Sequence, residues 1–376
     1  MRYLFYYILC ITLSFAQFDW KDDGAAIRQG LHIEWQRTGD SNADGSMIYA
    51  WSDCRNNGVR DVIAQKVDIN GNNLWGDNGV VVVNAEGRQE DPQLVTDGDG
   101  GAFIIWMDYR DETDAEGDIY AQHVLSEGSL AFGVTGVPLV DQTGKQSSPN
   151  ICSDGQGGAY VIWKDNAASS YGDIVATHLS STGVIAPGQG VPIITYQSYR
   201  SSPSLNTGGS GAAVLVWSDD RNTDEDLYAQ RITVGNNTIN TDWGSGGKLV
   251  CDASGDQTSP RVAQYNGDET IITWEDDRNG NTNAYYQILN GSGNGTLIPD
   301  GVSVCTGDWQ IIKPRVKAEN AVAYIVWEDR RNGGTSDIYA QKVNTDGSTG
   351  WVENGIVITT SDGSQTEPRL TTDGNG

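Results

Sequence analysis

The stretch Trp327-Glu-Asp-Arg-Arg331, followed after a short polar loop by Asp337-Ile-Tyr-Ala-Gln341, is one copy of a pattern that runs through the whole chain. The copies are 55, 57, 54, 57 and 53 residues apart. Six copies begin at Trp51, Trp106, Trp163, Trp217, Trp274 and Trp327. So regular a period is typical of a repeat architecture, in which each repeat is one supersecondary unit.

Each period contains four short apolar segments separated by Gly, Asp, Asn and Pro. The first begins at a proline such as Pro149, the second ends at the repeated tryptophan, the third is the D-I-Y-A-Q string, and the fourth follows a glycine such as Gly136. The segments are about five residues long and rich in β-branched and aromatic residues, which predicts strands. Helical periodicity is absent over any useful length.

A four-stranded unit repeated about every 55 residues predicts an all-β fold, and within that class a β-propeller built of four-stranded blades. The second segment is continuously apolar, as in Ala102–Trp106. This agrees with a propeller, because blades pack face to face and cover a central strand on both sides. The sequence therefore predicts six complete blades.

Strand counting leaves one segment over at each end of the chain. Residues 20–28 read as a fourth strand without a blade, and Pro368 begins a first strand without a second. We therefore expect a truncated seven-bladed ring, completed by about 40 residues beyond Gly376. The alternative is a six-bladed ring in which residues 18–28 and 366–376 are spare.

The N-terminus predicts export. Residues 1–16 combine Arg2, an apolar run and a small-x-small string ending at Ala16, which is typical of a signal peptide. Residues 17–376 then form the propeller domain of a secreted or cell-surface protein. No later segment approaches the roughly 20 apolar residues that a membrane span requires. Cys10 follows Leu9 rather than a small residue, which argues against a lipid anchor.

The chain is strongly acidic, with a formal net charge of −26 from 50 acidic and 24 basic side chains. Such a field repels phosphate backbones and anionic lipids, so we expect no nucleic-acid partner. Solubility alone also explains the charge. The chain has no C-x-x-C and no histidine cluster, which excludes a recognisable zinc motif. Four cysteines follow the leader without an assignable pairing: Cys54, Cys152, Cys251 and Cys305.

The repeated polar residues predict a structural clasp. The aspartate and arginine of W-x-D-x-R and the aspartate that opens the third strand flank one hairpin, with opposite charges at short spacing, so a carboxylate–guanidinium pair would hold the turn. The tryptophan is interpreted as packing between blades. Alternatively the arginines line a ligand-binding face, because the second-to-third and fourth-to-first loops of propellers share one side of the disc.

Two repeats depart from the pattern and are candidate sites. Repeat three lacks the arginine over Asp165–Tyr171. Repeat two has a long acidic loop whose carboxylates could bind calcium, the one cofactor we consider; a solvated charge run is the alternative. The candidate calcium ligands are Asp111, Glu112, Asp114 and Glu116.

Catalytic machinery is not visible in the sequence. No G-x-S-x-G string or interpretable pair of carboxylates is present. His123 and His178 occupy the position of Lys66 in another repeat, which we interpret as an exposed strand position without a catalytic role. We therefore expect a protein without enzymatic activity.

The segments Asp276–Tyr286, Ser218–Tyr228 and Asp329–Tyr339, each preceded by a proline-initiated strand, resemble the TolB-type (WD40-like) propeller repeat. The resemblance covers nearly all of residues 24–376. These repeats are longer, and the α/β domain that precedes the TolB propeller has no counterpart, so TolB's role is not carried over. The repeats are also similar to those of large exported bacterial surface proteins.

Two classes of function follow from this reading. The first is a secreted or cell-surface binding or adhesion module for a glycan or protein. The alternative is a propeller hydrolase or lyase that acts on extracellular polysaccharide, and a second alternative is structural support for a missing domain. A sialidase is disfavoured because the S-x-D-x-G-x-T-W box is absent.

Overall fold

The computed structural model describes residues 34–56, 59–110, 117–167, 170–194, 196–359 and 362–371. Across these ranges every regular element is a β-strand, so the all-β prediction is confirmed. The strands form six antiparallel sheets, each a meander of strands consecutive in the chain. The described part of the chain contains no helix long and apolar enough to cross a membrane.

Blades one to three follow the predicted order of four strands each. Blade one is β1 (Glu34–Ser41), β2 (Met47–Asn56), β3 (Val59–Val67) and β4 (Val80–Val81). Blade two is β5 (Gln89–Thr96), β6 (Ala102–Asp108), β7 (Asp118–Val124) and β8 (Val137–Val140). Blade three is β9 (Gln146–Ser153), β10 (Ala159–Asp165), β11 (Asp173–Leu179) and β12 (Ile185–Pro192).

Blades four to six repeat this order, with one split strand. Blade four is β13 (Arg200–Thr207), β14 (Ala212–Asp219), β15 (Asp226–Gly235), β16 (Thr238–Thr241) and β17 (Lys248–Cys251), and both β16 and β17 pair with β15. Blade five is β18 (Gln257–Asn266), β19 (Glu269–Asp276), β20 (Asn283–Leu289) and β21 (Val302–Ser303). Blade six is β22 (Ile311–Glu319), β23 (Val322–Asp329), β24 (Asp337–Val343) and β25 (Ile356–Thr359).

The first strand of a blade starts three residues before its proline, whereas the sequence placed the start at the proline itself. In β9, Ser148 before Pro149 has φ 54°, and the pairing with β10 shifts register nearby. Proline has no N–H for the ladder, so a bulge carries the strand past it. Positive φ recurs at the residue before proline in five further segments: Asp91, Ser202, Ser259, Lys313 and Glu367.

The core consists of five hydrophobic clusters, and each contains residues of two successive blades. The repeated tryptophans of blades two to six each lie in one of these clusters, and all six repeated tryptophans are at most 2% exposed. Burial of a large side chain contributes about 1.5 to 3 kcal/mol, so these rings are major contributors to the blade interfaces. The packing role predicted for them is confirmed.

Successive first strands lie side by side around a central cavity of about 510 Å³. Its lining comes from the ends of β1, β5, β9 and β13, together with Lys317 of β22. The predicted signal peptide and the N-terminal strand at residues 20–28 lie outside the described residues.

Residues 362–371 contain no strand, although the sequence predicts one at Pro368. The segment still follows the geometry of the other first strands. The Glu367 N–H donates to Glu328 at 2.8 Å, as the Lys313 N–H donates to Glu275 at 2.6 Å. The number of blades in the ring stays a prediction.

Glycine ahead of the fourth strand is required by the tryptophan ring. Gly247 has φ 73°, and a Cβ there would lie 2.6 Å from the Trp217 ring and 2.7 Å from the Ala229 carbonyl oxygen, whereas Gly244 has φ 88° and open space around its Cβ position. Both Gly→Ala changes strain the backbone, so their difference isolates the clash. We expect Gly247→Ala to cost about 1 to 3 kcal/mol more than Gly244→Ala in the free energy of unfolding. Equal losses in denaturant titrations would contradict this packing role.

Candidate functional site

The aspartate of the W-x-D-x-R string is a buried carboxylate at the end of the second strand. In blade six, Asp329 Oδ2 accepts from the Trp327 indole N–H at 2.8 Å and from Arg331 Nη2 at 2.7 Å. Asp329 Oδ1 accepts from the Arg331 backbone N–H at 2.9 Å and from its Nε at 2.8 Å. Burial raises the pKa of Asp329, but these hydrogen bonds and the Arg331 charge outweigh it and hold the pKa below its usual value.

The indole, backbone N–H and Nη contacts recur in blades one, two, four and five, and the Nε contact recurs in blades two and five. The indole N–H lies 2.8 to 3.1 Å from the carboxylate, and an arginine Nη lies 2.5 or 2.6 Å from it. The pairs are Asp53 with Arg55, Asp108 with Arg110, Asp219 with Arg221 and Asp276 with Arg278. The predicted carboxylate–guanidinium clasp is therefore confirmed in five blades.

The arginine of each clasp also ties down the fourth strand. Its Nη donates at 2.8 to 3.0 Å to a carbonyl ahead of that strand, at Asn78, Thr135, Gly246, Asp300 or Asn354. In blades two, four, five and six the guanidinium also lies 3.7 to 4.0 Å from the centroid of a third-strand tyrosine ring. The arginines thus serve the fold, and their donors are largely used within the blade.

The aspartate that opens the third strand has a different partner from the one predicted. Asp226 accepts from Asn222 Nδ2 at 2.9 Å, and Asp337 accepts from Asn332 Nδ2 at 2.7 Å. The clasp arginine is already bonded to the aspartate two residues before it. The loop asparagine donates a hydrogen bond to this second carboxylate instead.

Blade three lacks the clasp, because Ala167 stands where the other blades have arginine. Asp165 Oδ1 accepts a hydrogen bond from the Ala167 backbone N–H at 2.7 Å. The indole N–H of Trp163, a fully buried residue, has no hydrogen-bond partner among the described residues. Buried N–H groups are normally paired, so the second-to-third turn of this blade is built differently from the others.

Arg200 brings a positive charge from the neighbouring blade to Asp173, the aspartate that opens the third strand of blade three. It is fully buried, and its Nη1 donates to Asp173 at 2.9 Å while its Nη2 donates to the Tyr196 carbonyl. Its backbone N–H donates to the Tyr171 carbonyl at 3.3 Å. Arg200 thereby joins the second-to-third loop of blade three to the loop that enters blade four.

Three tyrosines surround Arg200 with their rings in solvent. Tyr171, Tyr196 and Tyr199 are 42%, 55% and 47% exposed. Lys164 Nζ lies 4.2 Å from the Tyr199 ring centroid, and the Arg221 guanidinium lies 4.6 Å from that of Tyr196. We call this surface, with Glu225 described next, the tyrosine face.

Glu225 is a half-buried carboxyl in the second-to-third loop of blade four, within the field of Lys164. It accepts from the Ser201 hydroxyl at 3.2 Å. Burial raises the pKa of Glu225; the Ser201 bond and Lys164 oppose the shift, Asp256 and Asp220 add to it, and the net direction is upward. A carboxyl with a raised pKa holds its proton closer to neutral pH, which is the property of a general acid.

The two histidines interpreted as exposed are in fact buried. His123 is 6% and His178 is 9% exposed, and their Nε2 atoms lie 2.7 and 2.8 Å from Asp97 and Asp154. These aspartates belong to the turn after the first strand and also accept backbone N–H bonds. The histidines therefore stabilise the turn after the first strand. The alternation of residues along the third strand did not reveal that these side chains are buried.

The candidate calcium ligands Asp111, Glu112, Asp114 and Glu116 lie outside the described residues. Within the described ranges no cluster of three His, Cys, Asp or Glu side chains could hold a metal ion. Calcium binding by this loop stays a prediction.

The four described cysteines, Cys54, Cys152, Cys251 and Cys305, carry free thiols. Burial raises the pKa of the Cys251 and Cys305 thiols to about 12. Thiols in this state are unreactive, and the two occupy equivalent places in successive blades.

No protein-family model and no curated protein matches this chain. Solved structures similar to it include polysaccharide lyase Uly1, with 11% identity, 84% of this chain and 77% of that chain covered, and a TM-score of 0.49. An α-L-arabinanase of Penicillium chrysogenum has 12% identity, coverage of 85% and 97%, and a TM-score of 0.47. The α-L-arabinofuranosidase of Fusarium graminearum has 10% identity, coverage of 85% and 96%, and a TM-score of 0.46.

These similar proteins are polysaccharide hydrolases and a lyase. The fold assignment rests on the six meander sheets themselves.

Sequence reasoning named Tyr171 as part of the departing repeat but missed Tyr196, Tyr199 and Glu225. A signal was present in the loop before Pro203. Three residues before the proline, other loops have the glutamines Gln89, Gln146, Gln257 and Gln365, whereas this loop has Arg200. Gln257 Nε2 donates to the Ala253 carbonyl at 3.0 Å, the equivalent of the bond from Arg200 to Tyr196. The added arginine bonds Asp173 and not Asp165, so the two departures are neighbours in space but the clasp of blade three is not replaced.

The clasp predicts a large difference between two neighbouring arginines. Arg331→Ala leaves the buried Asp329 without its guanidinium, so we expect a loss of about 2 to 4 kcal/mol in the free energy of unfolding. Arg330 is exposed, and Arg330→Ala should change stability by no more than about 0.5 kcal/mol. Thermal and urea unfolding measure the stability of both variants. A similar loss of unfolding free energy in the two variants would show that the clasp does not stabilise the fold.

Proposed function

We propose that this chain recognises an extracellular polysaccharide through the tyrosine face. The observation that carries the proposal is the group of three exposed tyrosines, Tyr171, Tyr196 and Tyr199. The buried Arg200 bonds the backbone carbonyls of Tyr171 and Tyr196, and the cations of Lys164 and Arg221 lie against the rings of Tyr199 and Tyr196. Exposed aromatic rings that are fixed in place are typical of binding surfaces, since they contribute area at little conformational cost.

The chemistry of the face fits a carbohydrate. A sugar ring has an apolar face that packs on an aromatic ring, and its hydroxyls pair with polar groups at the edge. The face offers Glu225 as an acceptor and Lys164 as a donor beside the Tyr199 ring. A ligand made of flat rings and hydroxyl groups uses both features, whereas a protein surface of equal size would need a larger apolar patch.

The position of the face supports binding of a long chain. Its residues come from the second-to-third loops of blades three and four and from the loop between these blades, which share one side of the disc. The three tyrosines are 42 to 55% exposed, so an extended polysaccharide can contact them from solvent. Export and display at the cell surface, and the TolB-like character of the repeat, belong to this proposal as predictions.

Cleavage of the same polysaccharide is the second candidate function. The raised pKa of Glu225 favours it, because a glycosidase needs one protonated carboxyl near the bond to be broken. The activities of the similar hydrolases and the lyase agree with this candidate. In this case Glu225 donates its proton to the leaving oxygen as the glycosidic bond breaks, water adds to the anomeric carbon, and the proton released by that water returns to Glu225 through solvent.

Binding is tested with tyrosine variants on a polysaccharide array and by affinity electrophoresis. Tyr196→Ala with Tyr199→Ala should weaken binding at least about tenfold, since each lost stacking contact costs about 0.5 to 1.5 kcal/mol. The matching Tyr→Phe pair keeps the rings and should retain most of the affinity. Val184→Ala is the control, because Val184 is 57% exposed in the third-to-fourth loop of blade three, at the opposite end of the sheet. Equal binding by the alanine and control variants would overturn the proposal.

Cleavage is tested with Glu225→Gln on any polysaccharide that binds. We expect loss of reducing-end or unsaturated product with binding retained, and a wild-type rate that falls as pH rises through the raised pKa of Glu225. The neutral side chain should also raise the melting temperature at neutral pH, because the fold disfavours the ionised carboxylate. Unchanged product release by Glu225→Gln would exclude Glu225 as the acid.

A further inference from the structure

Three successive first-strand segments carry an arginine directly after the proline. These arginines are Arg261 in β18, Arg315 in β22 and Arg369 in the segment 362–371. The same position in blades two, three and four holds a neutral residue, namely Gln93, Asn150 and Ser204. In a chain with a net charge of −26, this group of adjacent cations is a local feature that the repeat does not require.

The arginines of β18 and β22 lie at the same height in the ring. Arg261 pairs with Thr273, the residue before a repeated tryptophan. Arg315 pairs with Val326, which holds the same place in blade six. Side chains two apart along a strand point to the same face, so Arg315 shares a face with Lys317. Because Lys317 lines the central cavity, Arg315 lies on the side of β22 that reaches this cavity.

The fold does not neutralise these guanidiniums. Among the described residues Arg261 forms no ion pair, and its Nη1 donates to the carbonyl of Pro260 at 2.7 Å. Arg315 Nη2 is 3.9 Å from the Glu367 carboxylate, which is beyond hydrogen-bond distance. Arg369 is exposed and has no ion pair within the described ranges. The clasp arginines, by contrast, lie 2.5 to 2.7 Å from their aspartates.

The carboxylates near the arginines are bonded to another residue. Glu328 and Glu367 both accept from Lys313 Nζ, at 3.1 and 2.5 Å. Glu275 accepts from the Lys313 backbone N–H at 2.6 Å. The lysine before the proline therefore holds the three carboxylates, and the guanidiniums keep donors that can bind another acceptor.

The three guanidiniums also repel one another. Burial, together with the charges of Arg315 and Arg369, lowers the pKa of Arg261 to about 10, and two glutamates oppose this shift without cancelling it. Burial and the charge of Arg369 lower the pKa of Arg315 as well. A positive charge held beside like charges is stabilised by a nearby negative charge, so an anion among the three side chains would relieve the repulsion.

We infer that Arg261, Arg315 and Arg369 bind an oxyanion, the carboxylate or sulfate group of an acidic ligand, near the centre of the ring. A guanidinium presents paired N–H donors that match two oxygens of such a group. A ligand can reach the site, because Arg369 is exposed, the Arg315 side chain is 16% exposed and Arg261 is partly exposed. The site goes beyond the proposed function, since the tyrosine face belongs to blades three and four.

The inference is tested by calorimetric titration of the purified chain at low salt with sodium glucuronate and with sodium sulfate, each compared with sodium chloride at equal ionic strength. We expect at least one of the two oxyanions to bind and its affinity to fall as the ionic strength rises. Binding of glucuronate alone would identify a carboxylate as the ligand group, and binding of sulfate alone would identify a sulfate.

Arg261→Gln should lower the affinity for the bound oxyanion at least about tenfold, because charge-assisted hydrogen bonds are lost. The melting temperature of the ligand-free variant should stay the same or rise, since one of the repelling charges is gone, whereas loss of a purely structural arginine would lower it. Arg369→Gln repeats the affinity test at an exposed position.

Arg231→Gln is the matched control, because it removes the same charge from a side chain that is 15% exposed and ion-paired with Asp242 at 2.6 Å. It should change the affinity by no more than about twofold, since distant charges are screened. The inference is overturned if neither oxyanion binds at low salt, if Arg261→Gln keeps the full affinity, or if Arg231→Gln loses as much affinity as Arg261→Gln.

The two sites fail independently. Oxyanion binding by a chain that binds no polysaccharide would remove the proposed function and keep this inference. Polysaccharide binding that depends on Tyr196 and Tyr199, in a chain that binds neither oxyanion, would do the reverse.

Discussion

Ionised aspartates buried at the end of the second strand are the constraint on which most of this structure depends. A carboxylate in that position destabilises the fold unless it is fully hydrogen-bonded. The indole N–H of the tryptophan and the guanidinium of the arginine supply those bonds, and both come from within two residues of Asp329. The same tryptophan packs in the core between blades. The W-x-D-x-R string therefore links the electrostatics of a turn to the packing of neighbouring blades.

Two blades depart from the repeat at the residue that opens the third strand. In blade three, which lacks the clasp arginine, Arg200 of the next blade bonds Asp173. In blade five, Asn283 replaces the aspartate, and its buried Oδ1 has no partner among the described residues. Function is proposed at departures from the repeat, at the tyrosine face and at the arginines after the first-strand prolines, while the intact clasps maintain the scaffold.

Much of the fold was predictable because the repeat displays it six times. The spacing of the tryptophans, the four apolar segments and the local charge pairing predicted the blades and the clasp. The strand starts and the buried histidines were not predictable, since a bulge at the residue before Pro149 and the pairing of His123 with Asp97 depend on tertiary contacts. The tyrosine face was missed for a related reason: Arg200 and Glu225 are distant in sequence from the turn that they complete.

The bond from the clasp arginine to the carbonyl ahead of the fourth strand has a consequence for resistance to proteolysis. The outermost strand has only two residues in blades one and five, too few to hold by its own ladder. An edge strand that frays is where extracellular proteases first gain access to a chain. By anchoring that edge from the interior of the blade, each arginine slows the opening that precedes cleavage, so the lifetime of the protein among proteases depends on side chains that touch no ligand.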